Sequence, residues 1–389
     1  MHRIVMVVNS DFRHDSRVQR EALSLLRAGF SVTVYSLTMT GERKQTYRGI
    51  RLINPVDGKL AWLPYRLSNM RAGWQLIKAL LREKATIWHG HDIETLPFVF
   101  AASKIKGGQL VYDSHELWQG YDWPGRGGRG KRLRSLVWKL WLGMEKVLAK
   151  RCDLVVAVNG SCAREMALSL GIETPLVIRN CIDPVKDTEA PLEGLRKQLG
   201  LVPGEKLVLY SGQFQKGRGL ENLLKAWKRM PSGFHLVFLG RGPLEGELRT
   251  LVVNEGIKNV TFLPPVRTAE IPQFTRGVNL GVVLIEAKDL SKYYCLPNKL
   301  FEYIAAGIPV LASDLPEIRR LVEEHQVGVL VDSQDPAIIG DILFKVLTNK
   351  KEMSRLGDNV RGAGKKLSWC EEGKRLVDEY SKLVCQCKG

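Results

Sequence analysis

The sequence predicts an α/β protein built from two doubly wound parallel-sheet units in tandem, and three observations carry that reading. Short apolar runs alternate with helical patterns from end to end, as strands joined by crossover helices do. The alternation is interrupted by the polar, proline-flanked stretch "NCIDPVKDTEAP" (180–191) and then restarts. A chain of 389 residues with 44% hydrophobic content can fill more than one core.

Strands are expected at 4–8, 31–35, 50–53, 86–89, 110–112, 154–158 and 176–178, and after the interruption at 207–211, 235–239, 260–262, 280–284, 310–312 and 328–331. Most are near-continuous runs of Val, Ile, Leu and aromatic residues, the pattern of strands covered on both faces. The expected domains are 1–185, 186–365, and a terminal segment, 366–389, whose helical pattern packs back on the first unit.

The chain carries 58 Lys and Arg against 41 Asp and Glu, a net charge of +17, which calls for an anionic partner: nucleic acid, a membrane surface or phosphorylated small molecules. Seven scattered cysteines show neither zinc spacing nor a disulfide framework. The apolar run at 1–8 is too short for a signal peptide, and no stretch approaches the roughly 20 apolar residues of a membrane span, so a cytoplasmic chain is expected.

Three glycine-marked turns in the second unit follow strands directly: "YSGQFQKGRGLENLL", "FLGRGPLEGEL" and the segment after 280–284. In open α/β sheets ligands bind at that rim, where a strand's carboxyl end meets the next helix. Gly217 and Gly219, like Gly240 and Gly242 in the next turn, let backbone amides approach a ligand, while Lys216 and Arg218 supply charge suited to a diphosphate. "LPNKLFEYIAAGIPVLAS" (296–313) reads as helix, turn and strand, with Pro297 at the first helical position. A helix start offers unpaired N–H groups to an anion, and Glu302, about one turn further in, reaches the two vicinal hydroxyls of an adjoining ribose.

These segments, with "DSRVQREALSLLRAGFSVTVYSL", "WHGHDIETLPFVFAASKIKGGQLVYDSHELW" and "DLVVAVNGSCAREMA" in the first half, resemble the retaining glycosyltransferases of the large bilobal family 4 over nearly the whole chain. The resemblance implies the GT-B fold, two Rossmann-like doubly wound domains facing each other across a cleft, the first for the acceptor and the second for a nucleoside-diphosphate sugar. It implies that Glu302 binds ribose, that the backbone of Asn298 and Lys299 meets the phosphates, and that Arg218 and His115 are the catalytic groups, Arg218 on the diphosphate and His115 beside the transferred sugar. It puts Arg17, His91, Asp92 and Glu116 on the acceptor side. Two positions depart from the pattern: Tyr294 stands where many members have a Glu that touches the donor sugar, and Gln213 where many have a second phosphate-binding Arg. The implied chemistry needs no cofactor beyond the donor substrate and no metal. His89, His91 and Asp92 mimic metal ligands, but one short cluster without a distant partner argues against an ion.

Between 120 and 151 cations outnumber acids and Trp118, Tyr121, Trp123, Trp138 and Trp141 lie in or beside them. That mixture suits an anionic membrane surface, hence a protein attached peripherally to the inner face of the membrane and a saccharide or lipid-linked acceptor. The "LAWLPYRLSNMRAGWQLIKALLREK" stretch (60–84) adds to it. The competing reading is a solvated basic loop and a helix that buries Leu136, Leu140 and Val147 against its own sheet. A nonhydrolysing sugar-nucleotide epimerase shares the two-lobed architecture but wants acids and histidines facing the sugar carbon. A nucleic-acid binder accounts for the charge, yet no nucleic-acid motif appears, so no specific nucleic acid is expected. A dinucleotide oxidoreductase lacks its G-x-G-x-x-G after 4–8.

Overall fold

Two parallel sheets form where the apolar runs lie. In the computed structural model, which describes residues 2–56, 67–121, 131–185, 195–267, 270–332 and 334–386, the chain divides into Met1–Arg179 with Glu372–Gly389, and Asn180–Glu371. The first sheet holds β1 (Arg3–Val8), β2 (Ser31–Ser36), β3 (Lys44–Tyr47), β4 (Ile50–Ile53), β5 (Ile87–His91), β6 (Gln109–Ser114), β7 (Leu154–Ala157) and β8 (Leu176–Val177), in the order β3-β4-β2-β1-β5-β6-β7-β8. The second holds β9 (Lys206–Ser211), β10 (Phe234–Leu239), β11 (Val260–Leu263), β12 (Leu280–Val283), β13 (Val310–Ser313) and β14 (Gly328–Val331), in the order β11-β10-β9-β12-β13-β14.

The central strands are buried on both faces: all of β5 and all but the first residue of β1 and β9. This is why they read as unbroken apolar runs rather than alternating ones. The order of the parallel strands reverses between β1 and β5 in the first sheet and between β9 and β12 in the second. A crevice opens at such a reversal, beyond the carboxyl ends of the strands.

β3 falls outside the sequence expectation. It pairs antiparallel to β4 at the sheet edge, and "KQTY" has no apolar run to announce it. The unit boundary also differs, lying at 179/180 and 371/372 instead of 185/186 and 365/366. Hydrogen bonds explain the shift: Val185 N donates to the Ala305 carbonyl and Cys370 N to Asp183 Oδ1, which ties both flanks to the second unit. From Glu372 on, the last helix (Trp369–Gln386) belongs to the first unit, where Tyr380 is fully buried against Phe30. Among the described residues no helix is long and apolar enough to cross a membrane.

Candidate active site

The second unit's reversal point is built around the helix Asn298–Ala305. Pro297 is its cap residue rather than its first helical one, with extended backbone and no side-chain capping bond, so the helix start keeps its positive end. Tyr303 locks the helix in place: its hydroxyl accepts from Ser211 N at 2.8 Å and donates to the Leu209 carbonyl at 3.1 Å, at the end of β9. Its ring fills the space that a Cβ at Gly281 would need, 2.5 Å away, so the glycine in β12 and the tyrosine are one fitted pair.

That anchoring holds two buried charged residues at the rim, Lys299 (9% exposed) and Glu302 (7% exposed). The Lys299 ammonium lies 3.5 Å from the centre of the Tyr210 ring, a cation–π contact. Burial, reinforced by the charge of Arg218, holds the Lys299 ammonium well below its usual range, against the opposing pull of Glu302. The sequence pointed to the amides of Asn298 and Lys299; the Lys299 side chain was the part it missed, although a lysine two residues past a helix cap is a visible signal for an anion site. Arg218 is half-buried in the turn between β9 and the helix Leu220–Trp227, where the Glu286 amide donates to the Gly217 carbonyl at 3.1 Å. Gly240 and Gly242 have a packing reason of their own: a Cβ on either would run into the backbone of Gly212 or Phe214, at 1.9 and 2.3 Å. Tyr294 is the half-buried residue that ends the short helix Leu290–Tyr293.

The first unit's reversal point is a web of buried charges. Arg17, on the helix Ser16–Arg27, donates from Nε and Nη2 to the two oxygens of Asp113 at 3.1 and 2.8 Å, and from Nη1 to the Ile178 carbonyl at 2.8 Å. Its guanidinium is thus engaged within the first unit's own network. His115 lies with Nε2 2.9 Å from Asp113 Oδ2 and Nδ1 3.3 Å from Asp92 Oδ2, so both ring nitrogens face carboxylates. Burial disfavours its imidazolium, yet Asp92 and Asp113 overcome that and push it up to about 10. Burial would raise Asp113 as well, but Arg17 and His115 hold it well below the usual carboxylate range. Asp92 occupies left-handed backbone at φ +63°, unusual for a non-glycine residue, and its Oδ1 accepts from His115 N at 2.9 Å. His91 Nδ1 lies 3.2 Å from Asp113 Oδ2, and burial pulls the ring below the usual histidine range. Glu116 is half-buried in the turn that follows, its carbonyl accepting from Ser114 Oγ.

Two family models now account for most of the chain. The model of Glycosyltransferase Family 4 matches residues 16–186 and that of Glycosyl transferases group 1 matches residues 193–363. The chain belongs to the group 1 glycosyltransferases. The D-inositol 3-phosphate glycosyltransferase of Xylanimonas cellulosilytica is 28% identical over 261 residues, 62% of this chain and 60% of the relative, so the match spans about three-fifths of the curated protein. Sucrose-phosphate synthase from Thermosynechococcus elongatus shares the fold with a TM-score of 0.75, at 19% identity over 99% of this chain and 100% of that one. Anabaena HepE in complex with UDP-glucose does so with a TM-score of 0.74, at 16% identity over 98% and 100%. The neighbours of this group 1 glycosyltransferase bear out the GT-B fold class expected from the sequence.

The basic segment differs from its sequence reading. Within the helix Lys131–Ala149, Trp138 is buried with Trp118 and Ile93, and Tyr121 and Trp141 pack against them, so these rings serve the first unit's own core. Leu136, Leu140 and Val147 are not buried: with Leu133 they are 50–63% exposed. Their spacings of three, four and seven put all four on one helix face. Arg132, Lys139 and Lys146 are exposed along one edge of that face, and Lys150 is exposed in the turn that follows. Arg126, Arg129 and Trp123 lie outside the described residues, as does 60–66 of the second aromatic-basic stretch.

Proposed function

We propose that this chain is a retaining glycosyltransferase that moves a sugar from a nucleoside-diphosphate sugar to a saccharide or lipid-linked acceptor at an anionic membrane surface, in cell-surface glycan synthesis. The observation that carries it is the second unit's rim, where an uncapped helix start, Lys299 and Arg218 gather positive character and Glu302 stands one turn away. A diphosphate with its ribose matches that order of groups: anion at the helix start and cations, diol at the carboxylate. The UDP-glucose named in the Anabaena complex is a donor of this class.

In the reaction the acceptor oxygen bonds to the anomeric carbon on the face from which the diphosphate departs. The bond from that carbon to the phosphate oxygen breaks, its electron pair stays with the phosphate, and the acceptor's proton passes to the leaving diphosphate. Lys299, Arg218 and the helix amides stabilise the charge that grows there. His115 suits a fixed cation in the first unit better than a base, because neither ring nitrogen is turned away from a carboxylate. A screen of nucleoside-diphosphate sugars by mass spectrometry tests this. One donor should be hydrolysed slowly without acceptor, with release of the nucleoside diphosphate, and a chain that binds none of them overturns the reading.

The membrane part rests on the exposed aliphatic face and its row of cations, which fit acyl chains and anionic headgroups together. Each cation near such a surface contributes about 1 kcal/mol, giving attachment that salt reverses. The wild-type chain should float with anionic vesicles at low salt, and a Leu136→Ser, Leu140→Ser variant should float less while binding nucleotide as before. No flotation of the wild type would point to a soluble acceptor.

A further inference from the structure

We propose that the first unit binds one divalent transition-metal ion of the zinc class through Glu21, His89 and His91. A donor atom from each of these residues and from Asp113 can be chosen so that all lie within 4.8 Å of one another, and all four side chains are buried. The "HGHD" motif lacked a distant partner in the sequence. The fold supplies one, because the helix Ser16–Arg27 brings Glu21 from the other side of the reversal point.

A second observation points to the same ion. Among the described residues, His89 Nε2 and His91 Nε2, in side chains 0% and 1% exposed, have no hydrogen-bond partner, and the Glu21 carboxylate of the same cluster is met by Arg17 and Asp113. Buried polar atoms left this way are uncommon, and here they belong to one cluster. The opposite ring nitrogens are occupied: His89 Nδ1 lies 2.6 Å from the Tyr380 hydroxyl oxygen, and His91 Nδ1 lies 3.2 Å from Asp113 Oδ2. Metal-bound imidazoles are oriented in this manner, one nitrogen on the ion and the other on a hydroxyl or carboxylate. Asp113 already faces Arg17 and His115, so it belongs outside the ligand set. Arg17 Nε, which donates to Asp113, also pairs with Glu21 Oε1 at 3.0 Å, and it would stay as the outer partner of a Glu21 carboxylate bound to the ion. Two imidazoles and one carboxylate suit zinc, and cobalt takes the same donors. The ion would join the helix Ser16–Arg27 to β5 and, through Tyr380, to the last helix. It would take no part in the diphosphate chemistry of the second unit.

The test is titration of the full chain, stripped by a chelator, with Co²⁺ and then Zn²⁺. One equivalent of cobalt should produce visible ligand-field bands without the near-ultraviolet band of a thiolate ligand, and zinc should displace it. Glu21→Gln and His91→Gln should each weaken binding by roughly a hundredfold, and Tyr380→Phe by about tenfold. The wild-type titration decides without any variant: no bands, or bands with thiolate character, overturn the proposal. Should bands appear and survive both substitutions, the ion sits elsewhere and the cluster is a hydrogen-bonded network in which Glu21 and Asp113 share a proton. If His91→Gln does not fold, Glu21→Gln, which keeps the side chain's size, decides between the two.

Discussion

The two reversal points occupy the same place in two sheets of one kind, yet they dispose of charge in opposite ways. Between β1 and β5 the charged groups answer one another: Arg17 grips Asp113, and His115 stands between Asp92 and Asp113. Between β9 and β12 two basic residues, Lys299 and Arg218, share the rim with the acid Glu302 at a helix start that no side chain caps. The first arrangement ties its charges to one another and should show its importance in stability. The second gathers its charge at a helix start and should show its importance in binding.

The largest test of that contrast is Asp113→Ala. It leaves Arg17 and His115 buried without their shared carboxylate, and removal of one partner from such a network costs about 3–5 kcal/mol. Urea unfolding measures it, and a loss below about 1 kcal/mol, the worth of an exposed pair, would break the comparison. A second acid of the first unit gives a pH signature. Burial pushes Glu145 up to about 7, against the hydrogen bonds from Tyr112 and Gln119. The native state then keeps a proton that the unfolded chain releases near 4.5, so the contribution of Glu145 to stability is greatest below that pH and falls as pH rises towards 7. The fall amounts to about 3 kcal/mol at most, and Glu145→Gln should flatten this part of the stability curve.

In the second unit the expected effects appear on ligand. Glu302→Ala should leave folding near wild type, abolish transfer, and weaken nucleoside diphosphate binding by about 1.5–3 kcal/mol, as read by calorimetry. Unchanged affinity in a folded variant would remove Glu302 from the site. The smallest effect is fractional proton uptake. A diphosphate beside Lys299 favours the ammonium that burial disfavours, so binding should take up protons and weaken as pH rises through the depressed Lys299 range. Calorimetry in buffers of different ionisation heat separates uptake from none.

Much of the fold was legible because doubly covered strands announce themselves as apolar runs, and thirteen of the fourteen described strands lie within a residue or two of their expected positions. β3 was not, since an edge strand with alternate residues in solvent needs no such run. At the second rim the local segment 296–313 contains its own helix, cap and acid, so Glu302 could be read from neighbours in sequence. At the first rim the decisive contacts cross 96 residues from Arg17 to Asp113 and 291 from His89 to Tyr380, and no local pattern encodes them. The tryptophans of the basic segment misled for another reason. Composition registers that rings and cations mingle, but only helical phase tells that Trp138 faces inward and Leu140 outward.

The helix that carries Tyr380 has a consequence for how the chain is made. The first unit opens with β1 and closes with residues near 380, so about 190 intervening residues, the whole of Asn180–Glu371, leave the ribosome before its last helix does. During synthesis the second unit can finish first while the earlier one waits with an unfilled groove beside Phe30 and His89. The order of birth and the order of completion are reversed, and a nascent chain halted at residue 371 would expose that groove to whatever chaperone meets it.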